Sequence, residues 1–293
     1  MPIGIFDSGL GGLTVLQALV KKLPEHTFVY FGDNANAPFG NADDADIWHH
    51  TTNGTHLLFN NGCDLVILAC NTASAVALRA LQREWLPRIA PQKRVLGVFV
   101  PTIESITGQH WRINTICPDS TESRDSSSSD ICKIKKNIAL FATPATVRSG
   151  AFQREARSRS PEITVTEQDC PGLVEALEND CPEQVHAIIK NSIRALEEKI
   201  SPIPQTIILG CTHYPLAKDI FCKYLPDTCD IVEQPEIVAN SLREYLKRHP
   251  EFQTSLTSHP HIEFFTSGDP LTVTRLANKF YHHPLVFRSP PSH

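Results

Sequence analysis

The sequence predicts an α/β protein made of two similar, pseudo-twofold-related domains, each a mainly parallel sheet flanked by helices. Three observations carry this expectation. Short β-branched runs alternate with longer stretches of helical period, which is the pattern of βαβ units. One strand-to-turn plan occurs twice in the chain. The length of 293 residues suits about two domains at roughly 100 to 200 residues each.

Taken in order, residues 3–6 read as a first strand and 13–22 as a helix with its apolar side at Leu13, Leu16, Ala18, Leu19 and Val20. A strand at 27–31, a helix at 43–60, a strand at 65–69, a helix at 73–85 and a strand at 95–98 follow. From Glu104 the apolar pattern gives way to a polar stretch, Ser-rich over 119–130, that cannot bury enough apolar area to order itself. It reads as a surface insertion over 105–136. Strands at 138–141, 163–166 and 206–209 then alternate with helices near 149–157, 173–177 and 185–199. A helix at 237–248, a strand at 262–266 and a helix at 271–281 close the series, and the tail 289–293 reads as frayed. The expected domains are 1–98 with 237–293, and 99–236 carrying the insertion.

The internal echo sharpens the two-domain reading. Residues 64–72, Asp-Leu-Val-Ile-Leu-Ala-Cys-Asn-Thr, and 205–213, Gln-Thr-Ile-Ile-Leu-Gly-Cys-Thr-His, share a polar start, an apolar strand, a small residue, a cysteine and a Thr-containing turn. Residues 3–8 and 138–143 echo each other at nearly the same offset, as expected of a diverged duplication.

Composition removes several function classes. A formal charge of -5 argues against a dedicated nucleic-acid binder. No apolar run approaches the roughly 18 residues of a membrane span. The N-terminus enters a strand pattern without the basic and apolar regions of an export signal, which predicts a cytoplasmic protein. Nine cysteines without a CxxC pair suggest neither a disulfide framework nor a zinc ribbon. The doublets His49-His50 and His282-His283 lack neighbouring ligands at metal spacing, so no metal is expected. The Gly9-Leu-Gly11-Gly12 loop would need glycine where Thr14 stands to bind a dinucleotide.

Ligands of open α/β sheets bind beyond the carboxyl ends of the strands, and Cys70 and Cys211 both stand there. Each precedes an expected helix, whose positive N-terminal end should lower the thiol pKa. Two thiols flanking one cleft suit removal of a proton from one face of a carbon and its return to the other. Asp7, after the first strand, can steer a proton to Cys70, and His213 can serve Cys211. The plainer readings are a helix cap for Asp7 and a turn residue for His213.

These residues resemble a known family, the cofactor-independent glutamate racemases of the aspartate/glutamate racemase superfamily. The likeness rests on residues 3–14 (Ile-Gly-Ile-Phe-Asp-Ser-Gly-Leu-Gly-Gly-Leu-Thr), 30–33 with 38–40, 69–75 (Ala-Cys-Asn-Thr-Ala-Ser-Ala) and 209–216 (Leu-Gly-Cys-Thr-His-Tyr-Pro-Leu). It implies two α/β domains clasping glutamate, D-glutamate supply for peptidoglycan and cell-wall biogenesis, and a homodimer. It further implies that Cys70 and Cys211 are the acid/bases, that Asp7 assists the first, and that Glu178 and His213 assist the second, with Glu175 competing for the place of Glu178. Implied substrate contacts are Asp7, Ser8, Phe39, Gly40, Asn71, Thr72, Thr212 and His213, with Thr143 and Thr146 as helpers. No pyridoxal phosphate is expected, because neither strand end offers a lysine. Phe39 stands where the family usually has tyrosine, Asn36 where arginine is common, and Val100 where glutamate is usual. Those departures keep aspartate or another acidic amino acid open as substrate. Cys211 with His213 also leaves open a cysteine hydrolase or transferase, and a catalytically silent amino-acid-binding protein is the third alternative.

Overall fold

Strands that are continuous apolar runs belong in parallel sheets covered on both faces, and the computed structural model has two such sheets. It describes residues 1–108, 136–252, 261–278, 281 and 284–291. In chain order these form β1 (Ile3–Asp7), α1 (Leu13–Lys22), β2 (Phe28–Gly32), α2 (Asp44–Asn60), β3 (Leu65–Leu68), α3 (Asn71–Val76), α4 (Leu78–Ala80), α5 (Leu86–Ile89), β4 (Arg94–Gly97) and α6 (Phe99–Thr107). Next come β5 (Lys136–Ala142), α7 (Pro144–Ser149), α8 (Ala151–Arg159), β6 (Ile163–Asp169), α9 (Leu173–Glu178), α10 (Pro182–Lys199), β7 (Thr206–Gly210), α11 (Lys218–Tyr224), β8 (Asp230–Val232), α12 (Gln234–Arg248), β9 (Ile262–Thr266) and α13 (Pro270–Ala277).

The first sheet has the order β4-β3-β1-β2-β9 and the second β6-β5-β7-β8. All neighbours pair in parallel. Read from the other edge, the second order is β8-β7-β5-β6, the same path as β4-β3-β1-β2. The echo in sequence is therefore an echo in topology, and Cys70 after β3 corresponds to Cys211 after β7. Strand β9 is an addition to the first sheet, where it pairs with β2 from Phe28↔Ile262 to Gly32↔Thr266.

Burial follows the sequence pattern. Every residue of β1, β2 and β3 is buried, while α1 buries Leu13, Val15, Leu16, Ala18 and Leu19 and ends on Lys21 and Lys22, which suit the negative end of a helix. The helices α1, α6 and α12 pack together. One apolar cluster runs from Ile5 and Leu16 through Phe99 and Phe152 to Leu140 and Ile208, so the two sheets share a core. Phe99 and Phe152 meet edge to face with centroids 5.3 Å apart.

Local differences from the sequence reading have physical causes. The polar stretch does not begin at 104 or 105, because α6 buries Phe99, Thr102 and Ile103 and ends on Gly108 at φ +67, a conformation glycine adopts freely. The helix expected at 149–157 is two helices, α7 and α8, broken at Gly150. Between β7 and α12 the structure has α11 and the short β8, neither of which the apolar pattern marks. The last helix ends at Ala277. Residues 109–135 of the expected insertion, His282-His283 and the last two residues of the tail lie outside the described residues.

Candidate active site

The loop after β1 carries Asp7 and Ser8 to the carboxyl edge of the first sheet. Asp7 is fully buried, and its Oδ2 accepts the Gly9 N–H at 3.0 Å. Burial raises its pKa, against the His213 charge and the Gly12 and Gly9 N–H groups, while the Glu178 charge raises it further. The Tyr30 hydroxyl, itself buried, donates to the Gly9 carbonyl at 2.9 Å and so fixes the same loop from β2.

Cys70 is the N-cap of α3, its Sγ accepting the Ala73 N–H at 3.4 Å. Its thiol donates to Ser8 Oγ at 3.3 Å. The expected lowering of the Cys70 pKa does not occur. Burial, first, and the neighbouring Asp7 charge, second, push the thiol up to about 12, against the Ser8 and Ala73 contacts. A helix of six residues with one N–H at 3.4 Å supplies too little to offset desolvation. At Cys211 the expected helix does not follow directly. A turn and the short 3-10 segment Tyr214–Ala217 separate it from α11, so it has no α-helix N-terminus beside it.

The second strand end is held by an ion pair instead. His213 is buried, and its Nε2 lies 2.8 Å from Glu178 Oε1 at the end of α9. Burial works against the imidazolium, but hydrogen bonds to the Cys211 side chain and to Glu178 outweigh it and raise the His213 pKa to about 10. Glu175 points elsewhere and accepts from Asn41 Nδ2 at 2.8 Å. Of the two glutamates, Glu178 is the one that reaches His213.

Contacts between the halves bring these groups together. A Cβ on Gly11 would stand 2.3 Å from Thr212 Oγ1 and 2.4 Å from His213 Nδ1, so only glycine allows that approach. Thr14, unmarked as a site residue in the sequence reading, has its hydroxyl 2.8 Å from the Gly11 carbonyl and 3.1 Å from the Thr212 carbonyl, which share its one hydrogen. The hydroxyls of Thr72 and Thr143 are 2.9 Å apart, Thr72 and Thr146 3.3 Å, and Thr143 and Thr146 3.0 Å, all buried. A Cβ on Gly40 would come within 3.0 Å of Thr143. The charge of Cys211 raises the pKa of Cys70, so the thiols lie within electrostatic reach of each other. Asn71 is buried and donates through Nδ2 to Gln234 Oε1 at 2.7 Å; no motif marked Gln234.

Phe39 is buried with its ring 6.2 Å from Phe6 and 5.9 Å from His50. Asn36 donates to Asp33 Oδ1 at 2.9 Å. Val100 sits on α6 in a broad hollow lined also by α8 and α12 residues, a hollow whose lining includes none of Asp7, Cys70, Glu178, Cys211 or His213. His49 is 3.0 Å from Asn53 and His50 3.8 Å from Asp33. Among the described residues no cluster of three or more His, Cys, Asp or Glu could hold a metal ion, and no helix is long and apolar enough to cross a membrane.

No protein-family model matches the chain. Curated proteins do. It is 46% identical over 289 residues to the glutamate racemase of Cereibacter sphaeroides, covering 99% of this chain and all of that protein. It is 45% identical, again over 289 residues, to that of Paracoccus denitrificans, with the same coverage. Among solved structures it is similar to the glutamate racemase of Francisella tularensis in complex with D-glutamate, with a TM-score of 0.80 at 26% identity and coverage of 99% and 97% of the two chains. The glutamate racemase of Thermus thermophilus in complex with β-chloro-D-alanine gives a TM-score of 0.75 at 26% identity, covering 98% and 96%.

Proposed function

Because the chain belongs to the glutamate racemase family of amino-acid isomerases, we propose that it interconverts L- and D-glutamate by proton transfer between Cys70 and Cys211. The observation that carries this reading is the pair of thiols at corresponding strand ends, after β3 and β7, within reach of each other's charge.

One thiolate takes the α-hydrogen of glutamate as a proton and leaves the electron pair on carbon. The opposite thiol gives its own proton to the other face, so the centre inverts and the two sulfurs exchange protonation states. In the present arrangement Cys70 holds its proton, donating it toward Ser8, and Cys211 lies beside an imidazolium. This favours Cys211 as the base and Cys70 as the acid for one direction. Asp7 and Cys70 are both buried, and the Asp7 charge helps the Cys70 thiol keep its proton. For the reverse direction Asp7 takes that proton and frees the Cys70 thiolate. Glu178 and His213 carry out the corresponding transfer for Cys211. The α-hydrogen is a very weak acid, so the carbanionic transition state needs fixed dipoles in a site from which water is excluded. The inter-half contacts of Thr72, Thr143 and Thr146 supply part of that closed wall.

The proposed role is that of a cytoplasmic enzyme supplying D-glutamate for peptidoglycan. The direct test follows optical rotation of L-glutamate without added cofactor. Decay to zero rotation is expected. Decay with aspartate but not glutamate would move the reading to the other acidic racemases, and a trapped acyl-enzyme would replace it with covalent cysteine chemistry.

A further inference from the structure

Next to Cys70 a buried chain of hydrogen bonds joins three helices. Thr102 on α6 donates its hydroxyl hydrogen to the Val98 carbonyl at 2.8 Å. A carbonyl only accepts and a hydroxyl has one hydrogen to give, so Thr102 Oγ1 can only accept from its other neighbour. That neighbour is Gln234 at the start of α12, whose Nε2 donates at 3.1 Å. The other end of the Gln234 amide is therefore its oxygen, which accepts from Asn71 Nδ2 at 2.7 Å. The backbone carbonyl thus sets the polarity of every bond up to Asn71. Relative exposures are 0% for Thr102, 3% for Gln234 and 2% for Asn71, so water does not scramble the order.

The chain leaves one end open. Asn71 Oδ1 is buried and finds no hydrogen-bond partner among the described residues. Flipping the Asn71 amide would put two carbonyl oxygens against each other, and flipping Gln234 as well would leave Thr102 facing an acceptor with no hydrogen to offer.

We propose that Thr102 and Gln234 are positioning residues that lock the Asn71 carboxamide in one of its two flip states, so that its oxygen receives the α-ammonium of the amino-acid substrate. A neutral acceptor whose donor end is already engaged attracts an ammonium and repels a carboxylate. The device therefore selects for the amine and contributes nothing to holding the acid groups. The proposal rests on the racemase reading for the identity of the substrate.

The test compares racemic glutamate, which shows no net turnover, with glutarate, the same dicarboxylate without the amine, by titration calorimetry. Thr102→Val and Gln234→Met are expected to weaken glutamate roughly tenfold, the loss of an oriented hydrogen bond to a charged group. Glutarate should shift less than about twofold. Thr102→Ser, which keeps the hydroxyl, should keep the wild-type ratio of the two affinities. Glutamate KM should rise with little change in kcat. Equal weakening of both ligands, or an unchanged ratio in Thr102→Val, overturns the proposal, because a merely structural role affects both ligands alike. Absence of glutamate racemisation by the wild type would overturn the functional reading itself, while the ratio of the two affinities still judges the amide lock.

Discussion

Cys70 and Cys211 end corresponding strands of two sheets with one strand order, yet the groups around them differ in kind. Around Cys70 stand Asp7 and Ser8, an environment in which burial favours neutral, protonated groups. Around Cys211 stand His213 and Glu178, an ion pair that keeps a proton on the imidazole to about pH 10. Duplicated backbones have thus placed two like thiols among unlike neighbours. The proposed two-thiol reaction would draw on that asymmetry, since it needs one sulfur loaded with a proton while the other is empty.

The largest expected effect comes from removing either sulfur. Cys70→Ser and Cys211→Ser should each reduce racemisation roughly 10³-fold, while each still exchanges the α-hydrogen of one enantiomer with deuterated solvent. The exchanging enantiomers should be opposite in the two variants. NMR detection of exchange from the same enantiomer in both would break the comparison.

Asp7→Asn and His213→Asn should each cost roughly 10²-fold in kcat. The enantiomers have equal free energy in water, so kcat/KM must fall equally in both directions. The difference between the halves should appear in the deuterium isotope effect, largest for opposite α-deuterated enantiomers in the two variants.

Stability should fall with rising pH in two separate windows. The native pKa of His213, about 10, lies above its ordinary 6.5, so the native state binds this proton more tightly than the unfolded chain. That stabilisation is complete below about pH 6.5 and is lost as pH rises toward 10, by an amount on the order of a few kcal/mol. Cys63, Cys70 and Cys170, raised from 9 to about 12, oppose stability in a later window above pH 9. Urea unfolding across these pH values should show the first loss in the wild type and not in His213→Asn, with the second loss in both.

The smallest effect discriminates the two glutamates. Glu178→Gln should slow turnover roughly tenfold, and Glu175→Gln, which disturbs only an exposed contact with Asn41, less than about twofold.

Much of this was legible in the sequence because it depends on local pattern. Apolar runs bounded by turns gave nearly all the strands, and the repeated strand–small–cysteine plan marked both strand ends. What escaped depends on residues distant in sequence. The helix N-terminus beside Cys70 is visible locally, but the burial and the Asp7 charge that overrule it come from packing and from another strand. Gln234 opens a helix with nothing nearby to mark it, and its partners Asn71 and Thr102 lie far back in the chain. Tyr30 reads as a strand residue, and only the sheet brings its hydroxyl to the Gly9 loop. The helix α6 was missed because a Thr- and Ser-containing segment gains its order from packing on α8 and α12.

The pairing of β2 with β9 also governs how this chain is made. Synthesis proceeds from the N-terminus, and domains generally fold as units as they emerge. Here the ribosome must deliver the whole second sheet before the first can receive its last strand. Until residue 266 is out, β2 presents a bare apolar edge, which invites pairing with other chains. Chaperone demand during translation should therefore fall late, and truncations that remove residues 262–266 should aggregate rather than yield a working N-terminal half.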